Sequence, residues 1–95
     1  MIKQTADRLA TKPSIPSSVV DLLHAVSDLA PAAIVRELDG GSLSPMIAAM
    51  DPLSLEIALQ VVDELRLQHE DAGLYELAAA LDLVADRLTD AMAGR

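Results

Sequence analysis

Cysteine, tryptophan and phenylalanine are absent from this 95-residue chain, and tyrosine occurs once. Without cysteine there is no disulfide framework, no thiolate nucleophile and no zinc ribbon. The shortage of aromatics removes the stacking platforms used to hold bases and sugars. It also points away from a β-sandwich, whose strands are crowded with β-branched and aromatic residues. Glycine is confined to Gly40, Gly41, Gly73 and Gly94, and no phosphate-cradling loop can be built from that spacing. Neither an HExxH nor a GxSxG motif is present. Ser27 and Ser54 sit within helical patterns, without a histidine placed to activate them.

Two histidines and no cysteine leave carboxylate chemistry as the only catalytic route. That route needs a cleft, which a small helical bundle rarely offers by itself. The expectation is therefore a protein that is not an enzyme and carries no cofactor. No run approaches the roughly 18 apolar residues of a membrane span. The opening "MIKQTADRLATK" also lacks the continuous apolar core of a secretion signal. These features predict a soluble, cytoplasmic protein with no membrane partner.

Positive charge is scarce and unevenly placed. The net charge is −8, yet residues 1–16 carry Lys3, Arg8 and Lys12 against Asp7 alone. The rest of the chain sets four arginines against fourteen carboxylates. So acidic a body repels phosphate, which argues against direct nucleic-acid binding. It suits solubility and, less commonly, docking on a basic partner.

What the chain has in abundance is aliphatic side chains at helical spacing, within a 52% apolar composition. "IKQTADRLA" spans about two helical turns with Ile2, Ala6 and Leu9 on one side. The prolines of "TKPSIPSS" then break the pattern. Residues 1–16 are expected to form a basic N-terminal arm or linker, loosely attached to a single acidic domain over 17–95. Ser17 or Ser18 can cap the next helix, whose face is Val19, Leu22, Leu23, Val26, Leu29 and Ala30. Pro31 kinks or restarts it, and "DGG" ends it at Leu38. Ser44–Pro45 and Asp51–Pro52 each read as a cap followed by a first-position proline.

From Pro52 a long helix is predicted to about His69, and a last one from Ala72 or Leu74 to Met92. The turn between them is short, so the two helices form an antiparallel hairpin. The fold expected is all-α: a small antiparallel bundle of about four to five helices ending in that hairpin. The helix from Pro52 is apolar over more than half its circumference, so it must be contacted from more than one side. It is either the central helix of the bundle or part of a self-association surface formed by Leu53, Ile57, Val61 and Leu65.

Three stretches invite a chemical reading. "RLQHEDAGLYEL" holds the lone tyrosine, a histidine and several carboxylates. A turn accounts for it: Asp71 caps, Gly73 relaxes the backbone, Glu70 and Asp71 suit the next helix's start, and His69 suits its own helix's end. Tyr75 falls on the polar side of the last helix. Asp21, His24 and Asp28 share one helical face and can present two carboxylates and an imidazole to a divalent metal. A solvated face explains them as well. Asp82, Asp86 and Asp90 recur every four residues, with only Arg87 adjacent for relief, and make an acidic ridge. Glu56, Asp63 and Glu70 form a looser row on the preceding helix. Such a ridge is a solvated face or a docking site for a basic protein surface.

The functional expectation is a non-enzymatic protein–protein interaction module, a self-associating bundle acting as a small adaptor or regulator, most simply a homodimer. The alternative is a monomeric acidic inhibitor, such as a phage encodes, that docks on a basic groove, mimicking nucleic acid or working like an antitoxin. The Ala/Leu/Asp/Arg/Val-rich vocabulary suits a high-GC bacterial or phage genome.

Overall fold

The structure, a computed structural model, describes residues 2–10 and 15–94. Among them are six helices and no strand: α1 (Ile2–Ala10), α2 (Ser17–Ser27), α3 (Pro31–Leu38), α4 (Leu43–Ala48), α5 (Pro52–Asp71) and α6 (Tyr75–Ala93). The fold is all-α, and α5 and α6 form the closely packed C-terminal hairpin. Helix α1 lies against α2, α3 against α6 and α4, and α2 against α4 and α5.

Proline places several of the boundaries. Pro16 is the residue before α2, and its carbonyl accepts the amides of Val19 and Val20 at 3.1 and 3.4 Å. Ser17 and Ser18 therefore lie inside the helix and neither caps it. Ala30 is extended (φ −69°, ψ 157°), as a residue preceding proline prefers to be, so Pro31 begins a separate helix. Asp51 and Pro52 occupy the flanking and first positions of α5, as the sequence predicts. The analogous expectation for Ser44 fails: α4 begins at Leu43 and Ser44 is already helical.

The two glycines after Leu38 act differently. Gly40 sits at φ +115°, open to side chains only at a cost in strain. Gly41 is pressed against α3: a Cβ there would stand 2.6 Å from the Glu37 Cα. The Ser42 amide donates to Glu37 Oε2 at 2.7 Å, folding the carboxylate back over this turn.

The core follows alternating three- and four-residue steps. On α5 the buried stripe is Leu55, Ala58, Val62, Leu65 and His69, with Ser54 buried beside its start. On α6 the matching stripe is Leu81, Val84 and Leu88, with Leu77 and Ala91 half-buried at its ends. This spacing is that of two helices meeting along a coiled-coil-like seam. Buried Ala78, Ala80 and Ala85 keep α6 slim where neighbours approach. The apolar excess of α5 is absorbed largely by the fold, since Ile57, Leu59 and Val61 flank its stripe and pack against the core.

Residues 2–10 are not a free arm. Helix α1 forms over the predicted turns, and Ile2 and Ala6 are buried in the common core. Their i, i+4 spacing gives α1 an apolar edge that α2 covers. The Leu9 side chain and residues 11–14 of the expected linker lie outside the described residues.

Candidate interaction surfaces

The predicted self-association stripe is split by the structure. Leu53 is 61% exposed at the start of α5, and Ile57 and Val61 follow it half-buried. Leu65, by contrast, is enclosed in the core and offers no surface. The reason is helical drift. Each four-residue step turns about 40° past a full revolution, so three steps carry the line about 120° around the helix. The surface part of the set is Leu53, Ile57 and Val61.

The acidic ridge is present on the outside of α6, with Asp82, Asp86 and Asp90 all exposed. Its compensation differs from the one predicted. Arg87 does not relieve Asp90. It reaches Asp39 at the end of α3, where a hydrogen-bonded ion pair ties α6 to that helix. Asp82 is relieved from across the hairpin instead, by Arg66 Nε at 3.7 Å. Among the described residues no ion pair involves Asp86 or Asp90.

Arg66 is the residue that sequence reasoning missed. Asp63 Oδ1 lies 3.7 Å from its Nε, and Glu70 Oε2 lies 3.4 Å from its Nη1. One guanidinium thus serves three carboxylates. Its Nε is shielded from solvent and has no hydrogen-bond partner, because 3.7 Å is too long for one. The i−3 and i+4 carboxylates were legible as helical pairs; the cross-hairpin Asp82 was not.

"RLQHEDAGLYEL" is a turn, built somewhat later than predicted. The Leu74 amide donates to the His69 carbonyl at 2.9 Å and the Gly73 amide to the Glu70 carbonyl at 3.0 Å. With Gly73 at φ +82°, this is a Schellman closure of α5. Asp71 is therefore the last residue of α5 and not the cap of α6, whose preceding residue is Leu74. Glu70 and Asp71 stand at the negative end of α5, where the helix dipole does not favour them, and Arg66 offsets Glu70.

His69 departs further from expectation. It is 2% exposed and its Nδ1 donates to the Leu65 carbonyl at 2.6 Å, so it is a core residue. It continues the 55, 58, 62, 65 stripe, a signal available from spacing alone. Tyr75 does lie on the polar side of α6, 68% exposed.

His24 finds its carboxylate on another helix: Nε2 lies 3.5 Å from Asp7 Oδ1 of α1. The face of Asp21, His24 and Asp28 is not gathered into a cluster. Among the described residues no group of three or more histidine or acidic side chains could hold a metal ion. Glu37 has its pKa lowered, chiefly because the Ser42 backbone amide donates to the carboxylate and favours its charged form. No helix among the described residues is long and apolar enough to cross a membrane. The chain was compared with protein-family models, with curated proteins and with solved structures, and none matches it.

Proposed function

We propose that the protein is a non-enzymatic protein–protein interaction module that pairs with a second copy of itself through Leu53, Ile57 and Val61, acting as a small cytoplasmic adaptor or regulator. The observation that carries this reading is Leu53, a large aliphatic side chain left mostly in solvent at the head of a line of half-buried apolar residues. Covering apolar surface is worth about 25 cal/mol per Å², and a chain this short gains core by pairing. Its acidic exterior makes nucleic acid an unsuitable direct partner.

The test is molar mass by size exclusion with light scattering, at low and high salt, on the parent, Leu53→Glu and Val61→Glu. A dimer that survives high salt and becomes a monomer in both variants, with helical circular dichroism retained, supports the proposal. A parent that is monomeric at every concentration refutes it.

A second reading is favoured by Asp86 and Asp90, exposed and without ion partners. Here a monomer docks its ridge on a basic protein groove, as an inhibitor that mimics nucleic acid would. Such binding weakens steeply as salt rises, and salt-insensitive binding would remove this reading.

A further inference from the structure

We infer that the end of the bundle where α5 turns into α6 is a second docking surface, built around Tyr75, for a basic amphipathic segment of a partner protein. The only aromatic residue of the chain stands here, 68% exposed, with Leu74 beside it also exposed. An exposed Leu67, in the last turn or so of α5, adds apolar surface at the same end.

Tyr75 is the shared wall of two depressions. One, of about 320 Å³, is lined by Pro31, Gly73, Leu74, Glu76 and Leu77 together with Tyr75. The other, of about 230 Å³, is lined by Tyr75 with Arg66, Glu70, Ala78, Ala79 and Asp82. An aliphatic side chain fits the first, against Pro31, Leu74 and Leu77. An exposed tyrosine that lines two adjoining depressions is suited to anchor an interface.

The charge of the surroundings selects the occupant. The two depressions present three carboxylates, Glu76, Glu70 and Asp82, against one guanidinium. That guanidinium, Arg66, is already shared among Asp63, Glu70 and Asp82. Lysines or arginines of a partner meet carboxylates that the chain leaves under-compensated. A second copy is a poor occupant, because two such tips would bring like charges face to face. This surface is thus distinct from the Leu53 face, at the other end of α5.

Tyr75 is also the probe, since no tryptophan or phenylalanine contributes to the fluorescence of the chain. Titrate the full-length protein with a synthetic Leu/Lys amphipathic helical peptide, and with the same peptide carrying Glu in place of Lys. Follow tyrosine emission and, in parallel, calorimetry. The Lys peptide is expected to bind and alter Tyr75 emission, and the Glu peptide to do neither. By calorimetry, Tyr75→Ser should weaken the Lys peptide roughly 30-fold, as loss of an anchor does. Glu76→Lys should weaken it while leaving Tyr75 in place. Equal binding of both peptides, absence of binding, or full binding to Tyr75→Ser each overturns the inference.

Discussion

The register of α6 can be tested with two leucines that are chemically identical and two residues apart. Leu81 is fully enclosed, at 0% exposure, while Leu83 is 41% exposed. Two residues turn the helix by about 200°, so only one of them can face the hairpin seam. Replacing Leu81 by alanine removes the transfer free energy of its lost methylenes and leaves a cavity, together about 3 kcal/mol. A domain of this length has about 5–14 kcal/mol of stability in total, so the loss is a large fraction of it. At about 4–8 °C per kcal/mol, Tm should fall by about 12–24 °C. Leu83→Ala should change stability by less than about 0.5 kcal/mol. Urea titration followed by helical circular dichroism measures both, with an unchanged m-value confirming that stability alone moved. Similar losses for the two variants, or a larger one for Leu83, would mean that α6 is rotated from the packing described.

Gly41→Ala should cost about 1–3 kcal/mol as an overpacking substitution, because its Cβ meets the Glu37 backbone as well as the side chain. Combining it with Glu37→Ala should not restore stability, since the Cα of Glu37 remains 2.6 Å away; recovery in the urea midpoint of the double variant would contradict this. Glu37 itself has a folded-state pKa below its usual 4.5. Its contribution to stability is therefore present above that value and is lost as pH falls through the depressed one. The difference in urea midpoint between the parent and Glu37→Gln should be seen well above 4.5, at about pH 6, and narrow progressively as the solution is taken below 4.5.

Local chemistry was legible in the sequence wherever a single residue decides a backbone conformation. Pro31, Pro52, the Gly40 turn and the Gly73 closure all stand where their stereochemistry puts them. The helical periodicity of α6 was legible too: Leu81, Val84 and Leu88 are buried, with Leu77 and Ala91 half-buried at the ends of the stripe. The sequence was less informative about where a helix stops when no breaker intervenes. Helix α5 runs two residues past His69, and that small extension changes Asp71 from a cap of α6 into the last residue of α5. Between helices the α5–α6 hairpin was legible from its short turn, but the side-chain pairings were not. Nothing local distinguishes Arg87 paired to Asp39 from Arg87 beside Asp90, or assigns Arg66 to Asp82. The docking of α1 belongs to the same class, since its short Ile2–Ala6 edge acquires meaning from its packing on α2.

The two proposed surfaces stand at opposite ends of one rigid element. Helix α5 has 20 residues and is therefore about 30 Å long, nearly the longest dimension of the molecule, 33 Å. Leu53 stands in its first turn, and Tyr75 follows the turn that ends it. Pairing through the Leu53 face would leave both Tyr75 tips uncovered, one on each copy. A dimer of this kind would present two basic-segment sites on a fixed spacer, so a partner with two matching segments would gain from effective concentration, and a partner with one would not. Dimerisation and partner docking should then be separable by mutation. Leu53→Glu would reduce the avidity for a divalent peptide to that for a monovalent one, and Tyr75→Ser would weaken both while the dimer stayed intact.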